Sequence, residues 1–340
     1  MKSERNKTID LTIEEGREYL GRCLRAEELA EILPGCDPAA NAEYDSAADA
    51  EHDSGILPEH LTDRVILGDT FAVLPVLPKG FVDLLVVDPP YNLSKEYSGT
   101  TFRAMPEEDY AEFTWRWLSL CMPLLKETAS VYVCCDWRSS MIIGPILQEY
   151  LTIRNRITWQ REKGRGAKDN WKNSMEDIWF ASVCRGKEYT FHVEDVKQRR
   201  RVIAPYRENG APKDWIEGPE GNFRDTHPSN FWDDISIPYW SMAENTAHPA
   251  QKPEKLMAKL ILASSSPGDL VMDPFLGSGT TAVTAAKLGR HFLGIEQSEQ
   301  YCVWTQKRLE MAAADPSIQG YADGVFWERN TAQLQKQKKK

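Results

Sequence analysis

The chain has 340 residues, of which 41% are hydrophobic, and its 41 Lys and Arg against 51 Asp and Glu leave a formal net charge of −10. This composition supplies enough apolar material for a sizeable core and excludes wholesale disorder. The sequence has no run of 18 apolar residues, which excludes a membrane-spanning helix, and its polar first ten residues lack a signal-peptide pattern. We therefore expect a cytosolic protein without a membrane partner, and the seven cysteines, which form no C-x-x-C pair, argue against a metal site.

The charge is unevenly distributed along the chain. Residues 1–63 carry a net charge of −10 by themselves, whereas residues 154–213 hold 15 Lys and Arg against 8 Asp and Glu. A basic patch on an otherwise neutral body suits a polyanion such as nucleic acid. A solvated surface without a partner would explain the same pattern equally well.

The N-terminal segment, residues 1–55, is predicted to lie outside the main body. Thr12 and Glu15 form a capping-box pattern, which predicts an amphipathic helix that continues to about Leu33. Residues 34–55 are rich in Ala, Asp and Glu and contain almost no apolar residues, which is typical of a flexible acidic linker.

From residue 56 onwards, short apolar stretches alternate with helical patterns. The predicted strands are 65–67, 82–87, 130–135, 152–160, 177–184, 270–272 and 291–295. The predicted helices are 106–126, 138–150, 252–265, 280–288 and 298–314. Gly144-Pro145 is expected to kink or break the second of these helices. The alternation predicts an α/β fold, with a mostly parallel sheet, helices on both faces and ligands at the carboxyl ends of the strands.

Two regions depart from this alternation. Residues 186–247 are rich in Pro, Gly, Arg and aromatic residues, and we interpret them as an inserted, loop-rich recognition region. Residues 316–340 form a C-terminal tail whose lysine-rich end is expected to be frayed.

A glycine-rich turn links the predicted strand 270–272 to the helix that follows it. The turn reads Asp273-Pro274-Phe275-Leu276-Gly277-Ser278-Gly279-Thr280-Thr281. Its small residues let the backbone approach a ligand, and the helix N-terminus offers unpaired N–H groups. Glu296 ends the next strand, 23 residues after Asp273, where an acid can accept hydrogen bonds from ribose hydroxyls. The two features together predict an adenosine-containing ligand.

A second turn, Asp88-Pro89-Pro90-Tyr91-Asn92, follows the buried strand 82–87. Its prolines make the backbone rigid and leave carbonyl groups without local N–H partners. A carboxylate, a rigid carbonyl and an aromatic ring at one strand end can hold a planar amine. A strand-terminating turn with a packed tyrosine is the alternative interpretation.

With the two turns in this order, the chain resembles the β class of DNA amino-methyltransferases, which use S-adenosylmethionine. The segment 248–253, His-Pro-Ala-Gln-Lys-Pro, resembles a further motif of that family, with Ala250 in place of Thr. The resemblance covers roughly residues 60–312 and implies a circularly permuted Rossmann-like sheet. It further implies a catalytic part at 56–185, a target-recognition region at 186–247 and a cofactor-binding part at 248–315.

The resemblance implies S-adenosylmethionine as the cofactor. The residues expected to bind it are Asp69, Gln251, Lys252, Asp273, Phe275, Gly277, Ser278, Gly279, Thr280, Thr281 and Glu296. Glu296 is expected to hold the ribose and Asp69 the adenine amino group, although a helix N-cap explains Asp69 equally well. Gln251 and Lys252 are expected near the cofactor carboxylate, and a structural role is favoured for His248.

The resemblance implies that Asp88, Pro89, Pro90 and Tyr91 form the catalytic site. They would hold the exocyclic amine of a base flipped out of duplex DNA. In this family, Asp at the first position favours N6 of adenine, which we expect here, in a restriction–modification or related system. An N4-cytosine enzyme is the main alternative, and an RNA or protein methyltransferase and a non-catalytic DNA-binding homologue are less favoured.

Duplex DNA is the partner that this function implies. The residues expected to contact it are Arg161, Lys163, Arg165, Lys168, Trp171, Lys172, Arg199, Arg200, Arg201 and Arg207. Basic side chains bind phosphates, and an exposed aromatic ring can stack on a base. The family includes monomers and dimers, so a homodimer and an accompanying restriction endonuclease stay open as further partners.

Overall fold

The computed structural model describes residues 5–33, 59–97, 100–161, 170–202, 206–218 and 221–328. The α-helices are α1 (Arg17–Leu20), α2 (Leu29–Ile32), α3 (Thr70–Val73), α4 (Glu107–Cys121), α5 (Trp137–Tyr150), α6 (Glu254–Ser264), α7 (Thr280–Lys287) and α8 (Glu299–Ala314). The strands are β1 (Leu24–Arg25), β2 (Arg64–Leu67), β3 (Val82–Val87), β4 (Lys95–Tyr97), β5 (Thr100–Phe102), β6 (Leu125–Cys135), β7 (Thr152–Gln160), β8 (Met175–Ser182), β9 (Gln198–Arg201), β10 (Arg207–Glu208), β11 (Ala211–Pro212), β12 (Ile216–Gly218), β13 (Gly221–Thr226), β14 (Phe231–Trp232), β15 (Leu270–Asp273), β16 (His291–Glu296), β17 (Tyr321–Ala322) and β18 (Val325–Trp327). No helix in these ranges is long and apolar enough to cross a membrane.

A central sheet orders its described strands as β1-β2-β16-β15-β3-β6-β8-β7-β14. Its neighbours pair in parallel, except that β8 runs antiparallel to β6 and to β7. The predicted mostly parallel α/β sheet is confirmed. Strand β15 comes late in the chain but lies beside β3, with Met272 opposite Leu85. The sheet order therefore brings together two turns that are far apart in the sequence.

Alternate residues of the central strands fill two cores, one on each face of the sheet. In β3, Leu85 and Val87 pack in the core that contains side chains of α4 and α5. Leu84 and Val86 pack in the other core, with side chains of α6 and α7. Successive strand residues point to opposite faces, and each fully buried apolar side chain contributes about 1.5–3 kcal/mol. The helices on both faces explain why these strands are apolar at nearly every position.

The single N-terminal helix predicted from Thr12 to about Leu33 is wrong. The capping box itself is present, since the Thr12 N–H donates to the Glu15 carboxylate at 2.9 Å. However, α1 ends at Leu20 before Gly21, and β1 then pairs in parallel with β2. Glycine is a poor helix former, and pairing at the edge of the sheet supplies the hydrogen bonds that a longer helix would have made. The linker predicted at 34–55 lies outside the described residues.

The Gly144-Pro145 pair does not break α5, which runs uninterrupted from Trp137 to Tyr150. A Cβ on Gly144 would lie 2.6 Å from the ring of Trp179, so the helix packs closely against β8 at this point. The Trp179 Nε1 also donates to Ser140 Oγ at 3.1 Å. Tertiary packing therefore holds the helix where the local sequence predicts a break.

The C-terminal segment joins the recognition region as far as the structure describes it. A second sheet has the order β12-β13-β9-β18-β17, and β18 pairs in parallel with β9, with Phe326 opposite Gln198. Lys255 of α6 donates to the Trp327 carbonyl at 2.5 Å and so ties this sheet to the body. The predicted separate tail is thus part of a folded unit up to residue 328, and residues 329–340 lie outside the described ranges.

Candidate active site

A cavity of about 650 Å³ opens at the carboxyl ends of four neighbouring parallel strands. Asp69 follows β2, Asp88 follows β3, and Asp273 and Glu296 end β15 and β16, and all four acids line the cavity. Parallel strands present their carboxyl ends at the same edge of a sheet. The two turn motifs therefore share one site.

The glycine turn adopts a backbone that other residues rarely adopt. Gly277 and Gly279 have φ values of 57° and 82°. A Cβ on Gly277 would lie 3.3 Å from His248 Nε2, and one on Gly279 would overlap the Thr305 side chain. Both conformation and space require glycine here. His248 accepts a hydrogen bond from the Ala250 N–H, and burial lowers its pKa to about 3, so the ring is neutral and braces the turn.

Glu296 holds the glycine turn from the end of the neighbouring strand. Its two carboxylate oxygens accept the N–H groups of Gly277 and Ser298, each at 2.8 Å. Burial raises the pKa of Glu296 to about 7, and these hydrogen bonds oppose the rise. Each oxygen keeps a lone pair for a further donor, so the carboxylate can also accept hydroxyl groups from a ligand.

Asp273 acts as an internal brace of the same turn. It accepts the Phe275 N–H at 3.0 Å and the Thr281 hydroxyl at 2.6 Å. Burial raises the pKa of Asp273 to about 7. The hydroxyl of Thr281 is therefore engaged inside the protein.

The other polar groups of the turn are also engaged internally. The Thr280 hydroxyl donates to the Lys252 carbonyl at 3.0 Å, and the Ser278 carbonyl accepts Arg308 Nη1 at 2.7 Å. These bonds join the turn to α8 and to the segment before α6. Thr280, Ser278 and Phe275 nevertheless line the cavity, as the sequence predicts for cofactor-binding residues.

Gln251 lines the cavity, but its carboxamide is bonded within its own loop. Its Nε2 donates to the Glu244 carbonyl at 2.6 Å, and its Oε1 accepts the Thr246 N–H at 2.8 Å. The second hydrogen of Nε2 is the one left for the predicted contact between Gln251 and a cofactor carboxylate.

Asp69 has the N-cap role that the sequence offered, and its contact with the adenine amino group stays a prediction. Its carboxylate accepts the Phe71 N–H at 2.7 Å, which makes it the N-cap of α3, and it also lines the cavity. Phe113 packs edge-on to Phe71 and lies 6.2 Å from the ring of Phe275. These rings give the cavity an apolar wall beside an acid.

The Asp-Pro-Pro-Tyr turn is held rigidly from outside. Tyr110 of α4 donates its hydroxyl to the Pro90 carbonyl at 3.0 Å. Asn92 exchanges two hydrogen bonds with the backbone of Met105, at 2.8 and 2.9 Å. The Pro90 carbonyl is therefore occupied by a bond within the protein. All four residues of the turn, Asp88, Pro89, Pro90 and Tyr91, line the cavity.

A buried ion cluster surrounds Asp88. The Lys252 ammonium lies 2.7 Å from both Asp88 oxygens, 2.9 Å from the Tyr91 hydroxyl and 3.3 Å from Glu176 Oε2. Burial opposes the charge on Lys252, but Asp88 and Glu176 outweigh it and raise the pKa of the ammonium. Lys252, predicted at the cofactor carboxylate, thus contacts the carboxylate of Asp88 in this structure.

Arg161 pairs with Glu176 and lines the cavity, and its predicted role as a phosphate ligand stays a prediction. The chain folds back after β7, and β8 brings Glu176 beside it. Burial raises the pKa of Glu176, but Lys252 and Arg161 lower it by more. Glu176 is therefore an ionised member of the cluster.

The remaining predicted DNA contacts fall into three groups. Trp171 is 93% exposed and Lys172 is exposed beside it, as expected of residues that meet a ligand. Arg199 and Arg207 form ion pairs with Asp225 and Glu217, which leaves less of their charge for phosphates than the sequence predicts. The other predicted residues are Arg200 and Arg201, both on β9, and Lys163, Arg165 and Lys168, which lie outside the described residues.

Glu176 is the site residue that sequence reasoning missed. It lies in a strand, outside every motif, and an acid next to Asp177 reads as an ordinary polar strand residue. The feature that identifies it is burial, because Glu176 is only 3% exposed. That burial arises from the antiparallel pairing of β7 with β8, which the sequence pattern did not predict.

Comparisons with known proteins agree with this geometry. A sequence model of the DNA methylase family, which covers N6 and N4 enzymes, matches residues 82–307. The DNA adenine methyltransferase YhdJ of Escherichia coli (strain K12) is 34% identical over 255 residues, which are 73% of this chain and 83% of that protein. The type II methyltransferase M.HpaI of Haemophilus parainfluenzae is 32% identical over 252 residues, 74% of this chain and 75% of that protein.

A solved structure shows the same fold. The PvuII DNA methyltransferase, a cytosine-N4-specific enzyme, superimposes with a TM-score of 0.56 at 17% identity, over 72% of this chain and 85% of that one. The family match includes the Asp-Pro-Pro-Tyr turn, the glycine turn and Glu296. The chain belongs to the N6/N4 DNA methylase family.

Proposed function

We propose that this protein is a site-specific DNA methyltransferase that transfers a methyl group from S-adenosylmethionine to N6 of adenine in duplex DNA. The observation that carries the proposal is the single cavity in which Asp88 and Tyr91 face the glycine turn and Glu296. An amine-holding turn and a nucleoside-holding turn at one sheet edge supply both halves of a methyl-transfer site.

The residues around the cavity fit S-adenosylmethionine. Glu296 offers acceptors for the ribose hydroxyls, and Asp69 stands at the end of the neighbouring strand for the adenine amino group. Phe71 and Phe275 offer apolar surface, and about 650 Å³ lies within the range of small-molecule sites. When bound, this cofactor supplies an activated methyl group on a sulfonium centre, so the site needs no metal for the transfer.

The catalytic turn is proposed to bind and activate the amine. Asp88 and the Pro89 carbonyl accept its two hydrogens, which returns the nitrogen lone pair from the ring to the nitrogen. Tyr91 packs against the base, and the rigid turn keeps the amine oriented for in-line attack. The proton released by the amine passes to Asp88 or to solvent.

Adenine is the proposed base because the turn begins with Asp88 and because YhdJ, the relative at 34% identity, is a DNA adenine methyltransferase. An amine within a duplex cannot reach this cavity, so the base must be flipped out, at about a few kcal/mol. Trp171 and Lys172 are exposed and shortly precede β8 in the chain. They are proposed to contact the DNA, together with β9 of the second sheet. The place of action is then the compartment that holds the DNA, which we take to be the cytosol.

The test is to incubate the purified protein with unmethylated genomic DNA and S-adenosylmethionine, and to sequence the DNA by a method that reads modified bases. We expect N6-methyladenine at one short recurring motif. N4-methylcytosine would overturn the choice of base, and DNA without any methylated base would overturn the proposed function.

A matched pair of variants ties the activity to this site. Asp88→Ala should abolish methylation and keep cofactor binding, which calorimetry measures. Asp83→Asn is the control, because Asp83 lies at the opposite end of β3, where it pairs with Lys126 at 2.7 Å. Methylation by the Asp88 variant would exclude this carboxylate from catalysis.

A further inference from the structure

Both donors that hold Asp88 have a second carboxylate within reach. The Tyr91 hydroxyl lies 3.0 Å from Asp88 Oδ1 and 3.2 Å from Glu176 Oε2. The Lys252 ammonium lies 2.7 Å from Asp88 and 3.3 Å from the same Glu176 oxygen. Glu176 is thus the alternative acceptor for each of them.

The count of hydrogens shows that these contacts cannot all be strong at once. The Lys252 ammonium has three hydrogens but four oxygens within 3.3 Å, and the Tyr91 hydroxyl has one hydrogen for two carboxylates. If one Asp88 oxygen turns away, the ammonium still has three acceptors. Asp88 can therefore release a donor without leaving a buried hydrogen unpaired.

The two carboxylates differ in access. The Asp88 side chain is 18% exposed, whereas that of Glu176 is 4% exposed, although both line the cavity. Arg161 occupies the other oxygen of Glu176, Oε1, so Oε2 faces Lys252 and Tyr91. An incoming amine can reach Asp88, but both carboxylate oxygens of Asp88 already accept hydrogen bonds from the Lys252 ammonium.

We propose that Glu176 is a positioning residue of methyl transfer: it takes over Lys252 and Tyr91 when the target amine binds, and so opens the acceptors of Asp88. This role rests on the proposed function. Lys252 stays in the cluster throughout, and Glu176 balances its charge. Without Glu176, the ammonium has Asp88 as its single carboxylate and competes with the amine for it.

The first measurement is single-turnover methyl transfer to a duplex that carries the motif found on genomic DNA. Glu176→Gln keeps the shape and an acceptor oxygen but removes the charge. We expect transfer to slow by about tenfold to a hundredfold, the worth of a hydrogen bond to a charged group, while the dissociation constants for cofactor and DNA change little. Glu149→Gln, in which an exposed acid bonded to Trp115 is changed in the same way, is the control.

The second measurement separates this role from a merely structural one. In a Lys252→Met background the ammonium is gone, and the Tyr91 hydroxyl still finds an acceptor oxygen on Gln at position 176. Glu176→Gln should therefore change the rate there by less than about twofold, the usual scatter of additivity. An equal loss in both backgrounds, or no loss in the wild-type background, would overturn the role of Glu176. If Glu176→Gln fails to fold, Glu176→Asp, which keeps the charge and shortens the reach, takes its place in the same cycle.

The outcomes distinguish the two proposals. Wild-type protein that methylates DNA, with an inactive Asp88→Ala and an unimpaired Glu176→Gln, would leave the proposed function intact and remove the role of Glu176. Wild-type protein that methylates no DNA would remove both.

Discussion

The Lys252 ammonium lies 2.7 Å from each carboxylate oxygen of Asp88, although 164 residues separate the two along the chain. The Lys252 side chain is only 6% exposed, so this ion pair is shielded from water. A shielded pair is costly to break from one side, since the remaining charge stays buried. The charge balance of the site therefore depends on Lys252 as much as on the Asp-Pro-Pro-Tyr turn.

Replacement of Lys252 by Met should destabilise the protein strongly at neutral pH. Asp88 and Glu176 would then face each other without their shared cation, and we expect the free energy of unfolding to fall by about 3 kcal/mol. The pKa of Lys252 is raised in the folded state, so its contribution is complete below pH 10 and is lost only in strong base. In the variant the buried Glu176 loses the cation that contributes most to lowering its pKa, so its ionisation costs more and the deficit should shrink towards pH 5.

Urea denaturation at pH 5 and pH 7 measures this difference. Lys126→Met is the matched control. Lys126 pairs with Asp83 at the other end of β3, but its side chain is 38% exposed. An exposed pair contributes about 0–1 kcal/mol. Equal losses in the two variants would show that the Lys252 cluster is worth no more than a surface pair.

Cofactor affinity should increase as the pH rises from 6 to 8. Burial raises the pKa of Glu296 to about 7, and only the ionised form can accept two hydroxyl groups. We expect the dissociation constant to be about threefold to tenfold higher at pH 6 than at pH 8, as linkage requires. Calorimetric titration measures it, and Glu296→Gln should bind more weakly with a flatter pH dependence.

The same group has a predictable effect on stability. An acid whose folded pKa lies above its unfolded value binds more protons in the folded state between the two pKa values. The ligand-free protein should therefore lose stability as the pH rises from about 4.5 to about 7, and Glu296→Gln should lose less. A steeper loss in that variant would contradict the assignment.

The two glycines Gly279 and Gly289 allow backbone strain to be separated from steric overlap. Their φ values are similar, 82° and 72°, but a Cβ on Gly279 would overlap Thr305, whereas nothing lies within 4 Å of one on Gly289. Gly289→Ala should cost about 1–2 kcal/mol from the left-handed backbone alone. Gly279→Ala should cost about 1–3 kcal/mol more from overpacking. Thermal unfolding measures both losses of stability. Equal losses would show that the Thr305 side chain moves aside without an energetic cost.

The N-terminal segment is expected to support the cofactor side of the cavity. A Cβ on Gly16 would overlap Val303 of α8, so Gly16→Ala should destabilise the protein by about 1–3 kcal/mol. Ile9 forms a bridge with Thr246, and Ile13 lines the cavity, so the same change should weaken cofactor binding.

A second variant tests whether overlap is the cause. Val303→Ala removes Cγ1, the methyl carbon that would lie 2.2 Å from a Cβ on Gly16, so the double variant should be more stable than the sum of the single changes predicts. Strict additivity of the two losses in thermal unfolding would mean that overlap with Val303 is not the cause of the destabilisation.

Local sequence patterns predicted the elements that depend on neighbouring residues. The strands near Val82–Val87 and His291–Glu296 are apolar runs that end at acids, and both lie where expected. The predictions failed where distant packing overrides local preference. Pro145 stays inside α5 because Gly144 packs on Trp179, and the N-terminal helix is cut short because β1 pairs with β2.

The sequence by itself determined the two turns and the mostly parallel sheet, because hydrophobic periodicity and turn chemistry are local properties. Only the tertiary structure decided which charges meet inside the cavity. Lys252, Glu176 and Arg161 come from a loop before α6 and from a hairpin. The sequence predicts separate roles for Lys252 and Arg161 and none for Glu176, and no local pattern indicates that the three meet. Their partnership follows from the order of strands in the sheet, which is set by contacts between distant parts of the chain and by the cost of burying an unpaired charge.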